Sequence, residues 1–107
     1  MIARIWRGWT AREDAEAYVR YLREIAAHDS LGTPGNRGFS VLHRSDGERE
    51  EFLTISLWES LDIIRAFAGD DIERAVFYPE DDRFLVEREL TVSHFEVATG
   101  TGPVPGA

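Results

Sequence analysis

The sequence predicts an α+β fold of order βαββαβ, an antiparallel sheet with its helices on one face. Three observations lead there. One segment carries an apolar stripe at helical spacing, two strand-like segments flank an Asp-Gly dipeptide, and a serine-capped helix follows them. At 107 residues and 43% hydrophobic composition, the chain suits one domain.

The elements follow in order. Ile2 to Trp9 reads as a strand, dominated by β-branched and aromatic residues. Thr10-Ala11-Arg12-Glu13 matches a capping box, in which threonine and glutamate satisfy each other's backbone donors. Behind it Ala15, Tyr18, Val19, Leu22, Ile25 and Ala26 make one apolar stripe, a helix fading through His28, Asp29 and Ser30. Gly32-Thr33-Pro34-Gly35-Asn36 is a cluster of breakers. Gly38 to Arg44 and Glu51 to Trp58 form a hairpin around Asp46-Gly47. Ser60 caps a second helix, with Leu61, Ile64, Phe67 and Ala68 on its apolar side and Gly69 ending it. Asp70 to Phe77 reads as a short helical turn. Pro79 with Glu80, Asp81 and Asp82 reads as a helix start, anchored by Phe84 and Leu85. Thr91 to Val97 is the last strand. Residues 1–98 then form the domain, and 99–107, rich in glycine and proline, a mobile tail.

This order is the ferredoxin-like arrangement, and it leaves one sheet face without helices. In the third strand Leu53, Ile55 and Leu57 look suited to meet the helices, which puts Phe52, Thr54, Ser56 and Trp58 on the open face. An apolar face of that size calls for a cover, and two sheets packed face to face in a homodimer supply one.

Composition narrows the function. Twenty acidic against 12 basic residues, a net charge of −8, argues against nucleic-acid or anionic-membrane binding. All 12 basic residues are arginines, scattered along the chain. Without cysteine there is no disulfide framework, thiolate metal site or cysteine nucleophile, which suits a reducing cytoplasm. No apolar run reaches the roughly 20 residues of a membrane-spanning helix, and the charged start does not read as a signal peptide.

No two of His28, His43 and His94 have metal-ligand spacing, so no metal site is expected. Ser93 and His94 are neighbours on a strand, point to opposite faces and cannot form a dyad. Glu80, Asp81 and Asp82 are explained by the helix start, and no glycine-rich loop precedes a helix. What remains is Arg4 and Trp6 in the first strand, Trp58 in the third, Phe67 in the second helix, and His94. The aromatics read either as core and interface or as an apolar pocket with a few polar handles. In the pocket reading Trp58, Phe67 and Trp6 hold an aromatic substrate, and His94 or Arg4 stabilises a phenolate.

The run Leu53-Thr54-Ile55-Ser56-Leu57-Trp58-Glu59-Ser60, followed by Leu61 to Phe67, resembles the antibiotic biosynthesis monooxygenase family. Phe77 to Leu85 and His94 to Val97 are similar to one branch of it, so the resemblance spans about Ile2 to Val97. It implies a dimeric α/β barrel with a pocket between each sheet and its helices. Some relatives oxidise phenolic or polyketide rings with dioxygen and no cofactor; others degrade haem. The haem degraders use an asparagine in the first strand, a tryptophan in the second helix and a histidine beyond. Ungapped matching puts those positions at Arg7, Phe67 and Phe77, which all differ, so haem is expected to be neither bound tightly nor opened. The resemblance thus implies cofactor-independent oxidation of a small aromatic or polyketide-type molecule. The alternative is a non-catalytic dimeric-barrel module that binds a small ligand or a partner.

Overall fold

Residues 1–26, 28 and 32–100 are described by a computed structural model, and the structural statements below concern them. The tail predicted over 99–107 lies outside the described residues from 101 onward, as do Asp29 and Ser30 at the predicted end of the first helix.

Five strands form one antiparallel sheet around β1 (Ile2–Ala11). On one side β1 pairs with β3 (Arg49–Trp58), which pairs with β2 (Asn36–Asp46). On the other side it pairs with two short strands, β4 (Leu85–Arg88) and β5 (Ser93–Glu96). The predicted hairpin is present, turning at Gly47 with φ 63°. The helices are α1 (Ala15–Tyr21), α2 (Leu61–Ala68) and a single turn, α3 (Asp81–Phe84). A 3-10 turn (Arg12–Asp14) precedes α1 and a π-helical stretch (Leu22–Ala26) follows it. Ser60 caps α2 by accepting from the Ile63 N–H at 3.3 Å, and Gly69, at φ 91°, ends it. The α+β, ferredoxin-like fold is the one expected.

Four local expectations change. Thr10 is not a helix cap: β1 runs through Ala11, and the Thr10 hydroxyl donates to the Ala11 carbonyl at 2.8 Å. The segment Asp70 to Phe77 is not helical. Backbone bonds Val92 N–H to Glu73 O (2.8 Å) and Ala75 N–H to Leu90 O (3.0 Å) hold it beside residues 90–92. The helix at Pro79 lasts one turn, because Leu85 enters a strand that pairs with Thr10. The predicted final strand, Thr91 to Val97, is present as β5, and β4 is an additional strand beyond the helical turn; both dock along one edge of β1.

The largest correction concerns the sheet faces. Arg4 pairs with Ser56, Trp6 with Thr54 and Gly8 with Phe52, so these residues share a face. That face meets the helices. Phe52 is fully buried with Ala15, Tyr18, Tyr21 and Leu22, and Trp58 is fully buried with its ring 5.0 Å from Phe67 of α2. Leu53, Ile55 and Leu57 lie on the opposite, uncovered face with Ala3, Ile5, Leu42 and Phe95. The helices meet this face toward its two ends, where the rings of Phe52 and Trp58 pack against Tyr18 and Phe67.

Candidate functional site

Between the sheet and the helices lies a cavity of about 80 Å³. Its walls are mostly aromatic and aliphatic, with Trp6, Phe39, Phe67, Phe77 and Tyr78 among them, and Thr54 and Ser56 supply hydroxyls. Strand alternation places these groups, since Arg4, Trp6, Thr54 and Ser56 all lie on the inner face of adjacent strands. Two lining groups carry charge, Arg4 and Asp81.

Arg4 is 5% exposed. Its Nη1 donates to the Ile72 carbonyl at 2.6 Å and lies 2.9 Å from His94 Nε2, and its Nη2 donates to the Arg74 carbonyl at 2.9 Å. All these partners are neutral or backbone groups, and among the described residues no carboxylate pairs with Arg4. Burial lowers the guanidinium to about 10, so it stays a cation at neutral pH. A guanidinium has no acceptor, so His94 Nε2 accepts here and the ring's proton sits on Nδ1. Burial first, and the Arg4 charge second, push the His94 pKa below its ordinary value, with Glu73 opposing. His94 is thus a neutral imidazole whose free lone pair is committed to Arg4, and it stands outside the cavity lining.

Trp6 donates its indole N–H to the Glu89 carbonyl at 2.8 Å and meets Phe77 edge-on at 6.0 Å. Gly8 makes room for it: a Cβ there would fall 2.4 Å from the indole. Trp58 does not line the cavity. It lies behind Phe67, its N–H donating to the Ser56 hydroxyl at 2.8 Å. The structure therefore brings Arg4, Trp6 and Phe67 to one cavity, with His94 against Arg4 and Trp58 against Phe67.

Asp81 and Tyr18 also line the cavity, and neither is among the site residues the sequence singled out. Asp81 is 4% exposed. Its Oδ1 accepts from the Tyr18 hydroxyl at 3.1 Å and its Oδ2 from the Tyr78 N–H at 2.8 Å. Burial raises the Asp81 pKa, the hydrogen bonds from Tyr78 and Tyr18 opposing; burial and the Asp81 charge raise that of Tyr18. In sequence Asp81 looks like one of three helix-start acids. What sets it apart is structural: it is buried and its carboxylate turns back onto the Tyr78 N–H three residues earlier.

Arg7, one of the positions matched to the haem degraders, lies on the outer face, paired with Glu51 at 3.0 Å; Phe67 and Phe77 line the cavity. Among the described residues no group of histidine, aspartate and glutamate side chains is arranged to hold a metal, and no helix is long and apolar enough to cross a membrane.

No curated protein matches the chain by sequence. Solved structures match its fold. A candidate antibiotic biosynthesis monooxygenase from Bacillus cereus is 12% identical, aligns over 97% of each chain and has a TM-score of 0.63. MhuD from Mycobacterium tuberculosis, a haem degrader with two haems bound in its active site, is 21% identical over 95% of this chain and 100% of its own, at 0.60. A mutant of MhuD with two manganese protoporphyrin IX molecules per active site is 22% identical over 96% and 100%, at 0.61. The family model for antibiotic biosynthesis monooxygenases matches residues 1–75, from β1 through α2 to the segment tethered by Arg4. With most of its length matched, the chain belongs to the antibiotic biosynthesis monooxygenase family.

Proposed function

We propose that the protein is a cofactor-independent monooxygenase acting on a small aromatic or polyketide-type molecule in the inner cavity. One observation carries this reading: Arg4 is a buried cation without a carboxylate partner, set in an aromatic-walled cavity. A buried charge is costly until it meets its opposite, so the cavity favours a ligand that develops negative charge beside Arg4. A phenol or anthrone does so on deprotonation, and its anion is the form that gives electrons to dioxygen. For an anthrone the balance closes simply. The methylene loses two hydrogens and becomes a carbonyl, one oxygen atom enters the product, and the other leaves as water.

In this scheme Arg4 holds the oxyanion and His94 fixes the guanidinium. Trp6 and Phe67 form the walls against the ring, with Trp58 bracing Phe67. Oxygen uptake by purified apo-protein with a panel of phenols and anthrones tests it. Uptake above the uncatalysed rate that Arg4→Gln abolishes is expected. No turnover across the panel, with saturable binding, leaves the second reading, a ligand-binding module without catalysis.

Haem fits the cavity poorly. No histidine or methionine lines it, and the Tyr18 hydroxyl is committed to Asp81. The expectation is no tight haem binding and no ring opening. A saturable Soret shift that bleaches under reductant is the contrary result.

We further propose that the chain is a homodimer joined through the outer sheet face, not the inner one first expected. Ile5, Leu53, Ile55 and Leu57 form a continuous aliphatic surface there, and Phe95 beside them is 57% exposed. A twofold pairing buries the same patch on both protomers. Light scattering over a dilution series measures this, and a folded 12.2 kDa monomer at micromolar concentration speaks against it. The composition without cysteine suits a cytoplasmic location.

A further inference from the structure

The cavity has a second pole. Arg4 is its one lining cation and Asp81 its one lining anion, and no ion pair joins them. Each is held by other groups: Arg4 by two carbonyls and His94, Asp81 by the Tyr18 hydroxyl and the Tyr78 N–H. The cation near Asp81, Arg88, pairs with Asp82 at 2.7 Å and stacks on Phe77 at 4.7 Å. Both oxygens of Asp81 accept hydrogen bonds, the pattern of an ionised carboxylate, and each retains a lone pair beyond the one in use.

The two poles sit apart along the sheet. Arg4 lies opposite Ser56, whereas Tyr18, which holds Asp81, packs edge-on against Phe52 at 5.0 Å, opposite Gly8. Four residues of strand separate Arg4 from Gly8, about 13 Å between backbones at the usual rise. Both residues line one small cavity between these levels, with aromatic residues among its other walls.

We infer that the cavity selects ring-sized molecules with an anionic oxygen at one end, held by Arg4, and a hydroxyl donor at the other, held by Asp81. Dihydroxyarenes and hydroxyaryl acids have this form. A phenol with no second polar group leaves Asp81 buried against an apolar edge, and a simple aryl acid does the same. The inference rests on the proposed use of this cavity for aromatic ligands, but concerns binding and does not depend on turnover.

The test is calorimetric titration at pH 7 with 3- and 4-hydroxybenzoate, benzoate, 4-methoxybenzoate and phenol, none of which needs to react. One hydroxybenzoate isomer should bind at least about tenfold tighter than benzoate and 4-methoxybenzoate, the worth of one charge-assisted hydrogen bond, and also tighter than phenol. Asp81→Asn should bring the hydroxybenzoate-to-benzoate ratio close to one while benzoate affinity stays within a few fold. Tyr18→Phe, which frees Asp81 Oδ1, should keep or widen the preference, and it guards against misreading a misfolded Asp81 variant. Equal binding of hydroxybenzoates and benzoate, equal binding of hydroxybenzoate and phenol, an unchanged ratio in Asp81→Asn, or no binding at all would each overturn the inference. Oxygen uptake with dihydroxyarenes separates the two ideas. Selective binding without uptake sinks the oxygenase reading alone, whereas uptake indifferent to the second hydroxyl sinks the two-pole selection alone.

Discussion

The inner and outer faces of this sheet are built from the same strands and differ in what they ask of a side chain. On β3 the inner residues are Phe52, Thr54, Ser56 and Trp58, the outer ones Leu53, Ile55 and Leu57. The inner face encloses a cavity beneath helices, so its large rings fill the ends and its hydroxyls and Arg4 line the middle. The outer face meets no helix, and on it Ile5, Leu53, Ile55 and Leu57 form a half-buried aliphatic patch beside the Arg7–Glu51 ion pair. On β3 the aliphatic residues are therefore the ones left without a helix. Polar atoms on a covered face point to a site, and an aliphatic patch left uncovered points to a flat partner.

The sharpest way to break the comparison is to put charge on the outer face. Ile55→Asp should abolish dimerisation, because a twofold interface would bury the new carboxylate twice. The mass from light scattering should drop to 12.2 kDa. The matching change within the inner core is Phe52→Ala. It should cost about 3–5 kcal/mol in denaturant unfolding and leave any dimer contact intact, since the lost ring faces Tyr18 and not a partner. A smaller inner-face effect is expected from Ser56→Ala. It removes the acceptor of the buried Trp58 N–H and should cost about 1–3 kcal/mol, whereas Leu57→Ser on the outer face creates no buried orphan.

The smallest expected effect is a pH dependence. His94 has a folded pKa below its ordinary 6.5, so below that value the unfolded chain binds a proton more readily than the folded one. Its contribution to stability is complete above pH 6.5 and is lost as pH falls toward its folded pKa. His94→Gln keeps an acceptor for Arg4 and should flatten that part of the profile of melting temperature against pH. An identical profile in the variant would show that the imidazole is not held neutral by burial and by Arg4.

Much of the fold is legible in the sequence because it rests on local patterns. The Ser60 cap, the Gly69 stop, the Asp-Gly hairpin and the stripe of Ala15, Tyr18 and Leu22 each act within a few residues and appear as expected. Thr10 misleads because its capping pattern competes with a strand that continues to pair with Glu50, and long-range pairing wins over local propensity. Of the site, Arg4, Trp6 and Phe67 are legible as unusual residues in regular elements. Asp81 is not, because three acids at a helix start look alike until burial distinguishes one of them.

By itself, then, the sequence determined the order of elements from β1 through α2, the pairing of β2 with β3 and the family, since these follow from spacing, turn chemistry and residue runs. Only the tertiary structure decided which sheet face is covered. Alternation specifies two faces but not which one the helices approach, and that depends on where α1 and α2 land over strands far away in sequence. The same packing decided that Asp81 enters the cavity while Asp82 stays at the surface with Arg88, and that His94 serves Arg4 from behind. Burial depends on neighbours brought together by folding, and no run of adjacent residues contains it.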